Sequence, residues 1–206
     1  TIILEDEHVR ETTLLRTYRV VSARTNPSNA HALEILEELL DGSDASFLPK
    51  RLIQEKNLAS VVNASYESDA YDEGQFSISI IPKPNVSNEQ VLAELDAALN
   101  EFAKRLPSGD EMSAAKRSLQ RQAILARDSV MGPAHTIGVA LTTGHSLQDV
   151  ESWPEQIGAV KSQEVQAALK AILEHRNVTG ILKPKAGVDP NSLPATPPPA
   201  TGGPIR

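Results

Sequence analysis

Between Phe47 and Pro82 the spacing of the apolar residues changes period, and this change limits what the chain can fold into. Leu48, Leu52 and Ile53 recur at helical spacing up to Lys56 and Asn57. Beyond them Ala59, Val61, Asn63 and Ser65 alternate with Leu58, Ser60, Val62, Ala64 and Tyr66. The period drops from about 3.6 to 2, so a helix feeds directly into a strand. Ser68 to Gly74 is rich in Asp, Glu and Gly, and Phe76, Ile78 and Ile80 then alternate with Ser77, Ser79 and Ile81. That is the pattern of a half-buried antiparallel partner closing a long hairpin.

The remaining segments fit around this unit. Thr13 to Ala23 reads as a strand. Asn26-Pro27-Ser28-Asn29 starts a helix whose apolar residues Ala30, Leu33, Ile35, Leu36, Leu39 and Leu40 run to Gly42, with Glu34, Glu37 and Glu38 on a solvated face. Asp44 or Ser46 is expected to cap the next helix. Ser87 to Gln90 fits a capping box before a helix running to Pro107, and a second helix spans Ser108 to about Asp128. On that helix Lys116, Arg117, Arg121 and Arg127 read as part of a mixed solvated surface. The small residues from Val130 to Gly144 suggest a helix enclosed by neighbours and closed by Gly144. Leu147–Trp153 and Pro154–Ile157 read as two short helical pieces, Ser162–Glu174 as one helix, and Val178–Leu182 as a last strand.

With 40% hydrophobic but only 3% aromatic residues, the core must be built from Leu, Ile, Val and Ala. The expected architecture is an α+β two-layer sandwich, a mostly antiparallel sheet with helices on one face. One domain is expected over residues 1–184, followed by a disordered tail over 185–206 rich in Pro and Gly.

Few kinds of chemistry survive inspection. A net charge of -7 disfavours a phosphate-tracking surface, so no nucleic-acid partner is expected. The chain has no cysteine, which removes disulfides, thiolate metal sites and a cysteine nucleophile. No apolar run is long enough to span a bilayer. Neither a phosphate-binding glycine loop nor a serine nucleophile elbow occurs. The five histidines are His8, His31, His135, His145 and His175, and none has the His-x-x-Glu-His spacing that puts two imidazoles and a carboxylate on one helical face. In Ala171-Ile172-Leu173-Glu174-His175 an alanine stands in the first ligand position, and His175 reads as a helix-end residue. No catalytic residue and no metal ligand is assigned to this chain.

One order of features does carry a family resemblance. A helix is followed by Gln54-Glu55-Lys56-x-Leu58-Ala59-x-x-Val62, by Ala64-Ser65-Tyr66, by an acidic turn and by Gly74-x-Phe76-Ser77-Ile78. The order continues to Trp153-Pro154, Val160, Val165 and Val178-Thr179-Gly180-Ile181-Leu182. Over residues 8 to 184 this resembles the second, C-terminal domain of a subunit in the pitrilysin and mitochondrial-processing-peptidase family of zinc metallopeptidases. The resemblance implies a clam of two halves, each made of two similar α/β domains, with zinc in the first domain of one half. It also implies a substrate-gripping Arg and a Tyr seven positions later in the second domain of the other half. Here Ile53 and Ser60 hold those positions, and neither side chain can grip a peptide carbonyl or an oxyanion as an Arg and a Tyr do.

The expectation is therefore a non-catalytic domain of a zinc metalloendopeptidase subunit, forming part of the peptide-binding chamber and the subunit contact. Zinc is expected on a first domain preceding Thr1. The implied partners are that N-terminal domain, a homologous subunit supplying the Arg and Tyr, and a peptide substrate. Bacterial relatives point by analogy to the periplasm. The alternatives are a degenerate member acting only in assembly, and, outside the family, a stand-alone α+β binding domain.

Overall fold

The computed structural model describes residues 1–128 and 131–187, so the expected tail lies outside the described residues from position 188 onward. Five strands form one mixed sheet: β1 (Ile2–Asp6), β2 (Thr13–Val21), β3 (Ala59–Glu67), β4 (Glu73–Pro82) and β5 (Asn177–Pro184), in the spatial order β1-β5-β2-β4-β3. All neighbours are antiparallel except β1, which runs parallel to β5. Even-numbered Leu14, Tyr18, Val62, Ala64, Tyr66, Phe76, Ile78 and Ile80 are buried, while odd-numbered Leu15 and Val61 remain 41% and 38% exposed. One face of the sheet is the core and the other is open, as period-2 alternation demands. Strand β1 escaped the sequence reading because Ile2, Ile3 and Leu4 are all more than half exposed, leaving no alternation to detect.

The buried face is packed by α1 (Pro27–Asp41), a π-helix (Pro49–Glu55) and α6 (Ser162–Glu174); α2 (Asn88–Lys104) packs on the π-helix and α6, α3 (Gly109–Arg127) on α1, and α4 (Gly132–Thr142) and α5 (Leu147–Ala159) on α3 and on each other. Asn26 caps α1 by accepting from the Asn29 N–H. Ser87 caps α2 through the Gln90 N–H, while full reciprocal boxes form at Ser108–Glu111 and Ser146–Asp149. Gly144, at φ +88°, follows α4, and the His145 N–H reaches back to the Ala140 carbonyl at 2.8 Å. A Cβ at Gly144 would lie 2.9 Å from the movable Arg24 side chain, so it is the left-handed backbone that calls for glycine. At the hairpin, a Cβ on Gly74 would meet the Glu67 carbonyl at 2.5 Å.

Helix α1 is the hub of the helical layer. Residues 30 to 36 are all buried, because α3, α5 and α6 surround the side that the sheet leaves free. This corrects the reading of Glu34 as solvated: it is 7% exposed. At the end of α1, Asp41 Oδ2 accepts from the Ala64 N–H at 2.9 Å, which covers one donor on the outer edge of β3. Burial pushes the Asp41 carboxyl up, while the Ala64 hydrogen bond pulls against it.

Two further expectations change. Pro154 lies inside one continuous α5 and does not divide it into two pieces. Helix α4 buries only Gly132 and Ala140, so its small residues mark a lightly packed flank of the molecule and not an enclosed helix. Asp44 and Ser46 also do not cap the π-helix, which has no side-chain cap bond; Ser46 Oγ accepts instead from the Ser43 N–H.

Candidate functional site

The positions singled out by the sequence lie at the helix-to-strand junction. Lys56 N–H donates to the Arg51 carbonyl at 3.0 Å and Leu58 N–H to the Leu52 carbonyl at 2.9 Å, so the turn is wider than an α-helix. Asn57 takes the left-handed conformation, φ +55°, which asparagine tolerates better than most residues. Ile53 packs half-buried against the core. Ser60 is the extra residue of a β-bulge between Ala59 and Val61, and its Oγ donates to the Ile81 carbonyl at 3.1 Å. Neither side chain offers a charge or an acidic hydroxyl to a substrate. Arg51, two residues before Ile53, is no substitute: it contacts Glu94 at 2.7 Å and Glu101 at 3.3 Å on α2, which fixes it as a tie between helices. On α3, Lys116 is likewise committed, donating to the Gly158 and Val160 carbonyls at 2.8 and 2.6 Å.

The histidines are dispersed. His8 is exposed beside Asp6, and His175 closes α6 with its N–H on the Ile172 carbonyl. His31, His135 and His145 all line one cleft between α1, α3, α4 and α5. Among the described residues no group of three or more His, Cys, Asp or Glu side chains could hold a metal ion.

The cleft encloses about 630 Å³, within the range of small-ligand pockets. Its walls include Leu119, Ala123, Ile137, Ala140, Val150 and Trp153. Its floor is a polar cluster that the sequence reading missed. His31 and Glu34, one turn apart on α1, face Gln156 and Trp153, one turn apart on α5. Trp153 Nε1 donates to Glu34 Oε2 at 2.8 Å, and His31 Nε2 lies 2.5 Å from Gln156 Oε1.

The proton positions follow from the chain of bonds. Ser152 Oγ donates to the Gln148 carbonyl and so accepts from Gln156 Nε2 at 2.7 Å. Gln156 therefore turns its carbonyl oxygen to His31, and Nε2 of the imidazole carries the proton. His31 Nδ1 has no hydrogen-bond partner and stands 3.7 Å from Glu34 Oε2. Burial works against the imidazolium, but the Glu34 carboxylate and the Gln156 contact together outweigh it, and the His31 pKa lies above its ordinary value. A polar pair spaced three apart on each of two helices was the available signal; it was hidden because the amphipathic pattern of α1 assigned Glu34 to solvent.

Comparisons bring an independent line of argument. Residues 1–119 match the family profile described as the peptidase M16 inactive domain. No curated protein sequence is similar enough to count as a relative. Among solved structures, a protease from Helicobacter pylori matches with a TM-score of 0.79 at 21% identity over 88% of this chain, which spans 43% of that protein. The inactive peptidase domain of a Bordetella parapertussis protein described as a zinc protease matches with a TM-score of 0.73 at 16% identity, covering 96% of this chain and 98% of that one. The periplasmic protease PqqL of Escherichia coli matches with a TM-score of 0.67 at 17% identity over 90% of this chain and 20% of its own length. At these identities the structural matches speak for the fold. The chain spans under half the length of the Helicobacter protease.

Proposed function

The chain belongs to the peptidase M16 inactive-domain family, and on that premise we propose that it is the non-catalytic C-terminal domain of a zinc-dependent metalloendopeptidase subunit. In this reading it forms part of the wall of the peptide-binding chamber and of the subunit contact, while a first domain carries the zinc. A homologous partner subunit supplies the Arg and Tyr that grip the substrate. The periplasm is the proposed compartment, supported by the likeness to PqqL. Among the described residues no helix is long and apolar enough to cross a membrane.

The observation that carries the reading is the state of the junction. Where the resembling family places an Arg and a Tyr, this fold holds a half-buried Ile53 and a bulge residue, Ser60, satisfied by the Ile81 carbonyl. A domain that contributes shape and contact needs only local packing there.

The test is a reconstituted assembly of the full gene product with its partner, assayed on a peptide substrate. Ser60→Ala is expected to change the rate by less than about tenfold. Replacing the partner's Arg or Tyr is expected to cost about 2.7 to 4 kcal/mol of transition-state stabilisation, as removal of an oxyanion-type donor does. A loss of about a hundredfold from Ser60→Ala with folding unchanged, or full activity without any partner, contradicts the proposal.

A further inference from the structure

The floor of the α1/α3/α4/α5 cleft has an electrostatic arrangement that neither core packing nor a chamber wall requires. Two buried acceptors, His31 Nδ1 and Glu34 Oε2, stand 3.7 Å apart. With Nε2–H committed to Gln156, Nδ1 either carries a proton that pairs it with Glu34 or, in the neutral imidazole, turns a lone pair toward the carboxylate. Acceptors at that separation can each take one N–H of a single ammonium group at ordinary hydrogen-bond distance.

Charge around the cleft points the same way. Among the described residues Glu34, Asp69, Asp149 and Glu151 line it, against one guanidinium, Arg24. Arg24 is itself held over the Tyr71 ring, 3.9 Å from its centroid, and donates to the Tyr71 carbonyl. The walls are otherwise largely apolar, with the indole face of Trp153 among them. A few convergent polar groups within apolar walls are the usual build of a small-molecule site.

We propose that this cleft binds a small organic cation, a primary ammonium on an apolar body, with Glu34 Oε2 and His31 Nδ1 receiving two of its N–H groups and Trp153 and the α3 and α4 side chains covering the body. The inference is independent of the peptidase reading. His31 Nδ1 is closed off from solvent in the free molecule, so the ammonium reaches it as the wall yields. Helix α4, which buries only Gly132 and Ala140, is the wall that moves most easily.

Binding and protonation then compete for His31 Nδ1. Facing His31 are Glu34 on its own helix and Gln156 and Trp153 on α5; around the cleft stand Arg24, Asp69, His135, His145, Asp149 and Glu151. Above the His31 pKa the lone pair is free for the ammonium, and below it a proton occupies the site. Affinity therefore falls as pH is lowered through that pKa, by up to about tenfold per unit.

Trp153 is the only tryptophan in the chain, so its fluorescence reports on the cleft alone. Titration with phenethylamine at pH 8 is expected to give a saturable change with a Kd of about 1 mM, weakening by about fivefold or more at pH 6. The anion of matching shape, 3-phenylpropionate, is expected not to saturate. Glu34→Gln should weaken the amine by about tenfold or more. Ala123→Phe leaves His31 and Glu34 untouched, fills the cleft and should abolish binding while the thermal transition is kept; it guards against a Glu34 variant that fails to fold. Phenylalanylglycine amide and its N-acetyl form separate the two sources of this chemistry. Binding of the first and not the second identifies a peptide N-terminus, and exclusion of both alongside phenethylamine binding identifies a free amine. Equal binding of the carboxylate, no saturation by the amine up to about 20 mM, or unchanged binding in Ala123→Phe overturns the proposal.

Discussion

Glu34 shows how much one residue's environment can differ from what its neighbours in sequence suggest. Its position on α1 reads as solvated because the apolar stripe lies opposite, and only the tertiary placement of α5 encloses it. A buried carboxylate must be satisfied, and here Trp153 donates to it at 2.8 Å. Trp153→Phe keeps most of the apolar volume but removes that donor, so urea denaturation should show a loss of about 1 to 3 kcal/mol; an unchanged midpoint would mean that the Glu34 carboxylate finds another donor. A second residue-scale effect concerns acid stability. The Arg105 guanidinium, bonded to both Glu111 oxygens at 2.7 and 2.8 Å, holds that carboxyl at about 2 against an ordinary 4.5. Because the folded value lies below the unfolded one, the stabilisation is present above pH 5 and is lost as pH falls toward 2. Much of Glu111 faces solvent, so the effect is screened by salt. Glu111→Gln should flatten the dependence of Tm on pH between about 5 and 2, and an unaltered slope would contradict the assignment.

Elements were legible where a buried face imposed a period. The helix before β3, though not its wider π form, and β3 and β4 follow from the switch at Leu58, and α6 from Val165, Ala168, Leu169 and Ile172, all 3% exposed or less. Strand β1 and the flank of α4 were not legible as such, because exposure removes the pattern that sequence reading relies on. Pro154 misled for a local reason: it argues for a helix break, yet α5 continues through it while packing on α1 and α3. The edge of β3 carries a protective device of the same scale. Asp41→Ala should remove the acceptor of the Ala64 N–H, costing about 1 kcal/mol and exposing an edge donor. A urea midpoint and a sedimentation profile both unchanged by the substitution would show that the edge needs no cover.

For the whole molecule, the α+β architecture and the family were readable from order and spacing across the chain, not from any single motif. The cleft floor was not, since it joins residues about 120 positions apart and the local spacing of each polar pair does not say which two helices meet. The central claim is that this fold supplies no zinc chemistry of its own. Its most direct test is elemental analysis of the tag-free chain, Thr1 to Arg206, beside the proposed subunit with its first domain. The account predicts zinc well below one ion per molecule and no peptide hydrolysis for the chain, and, under the proposed function, one zinc per molecule once a zinc-bearing first domain is present. One tightly held zinc per molecule of the chain alone would contradict it.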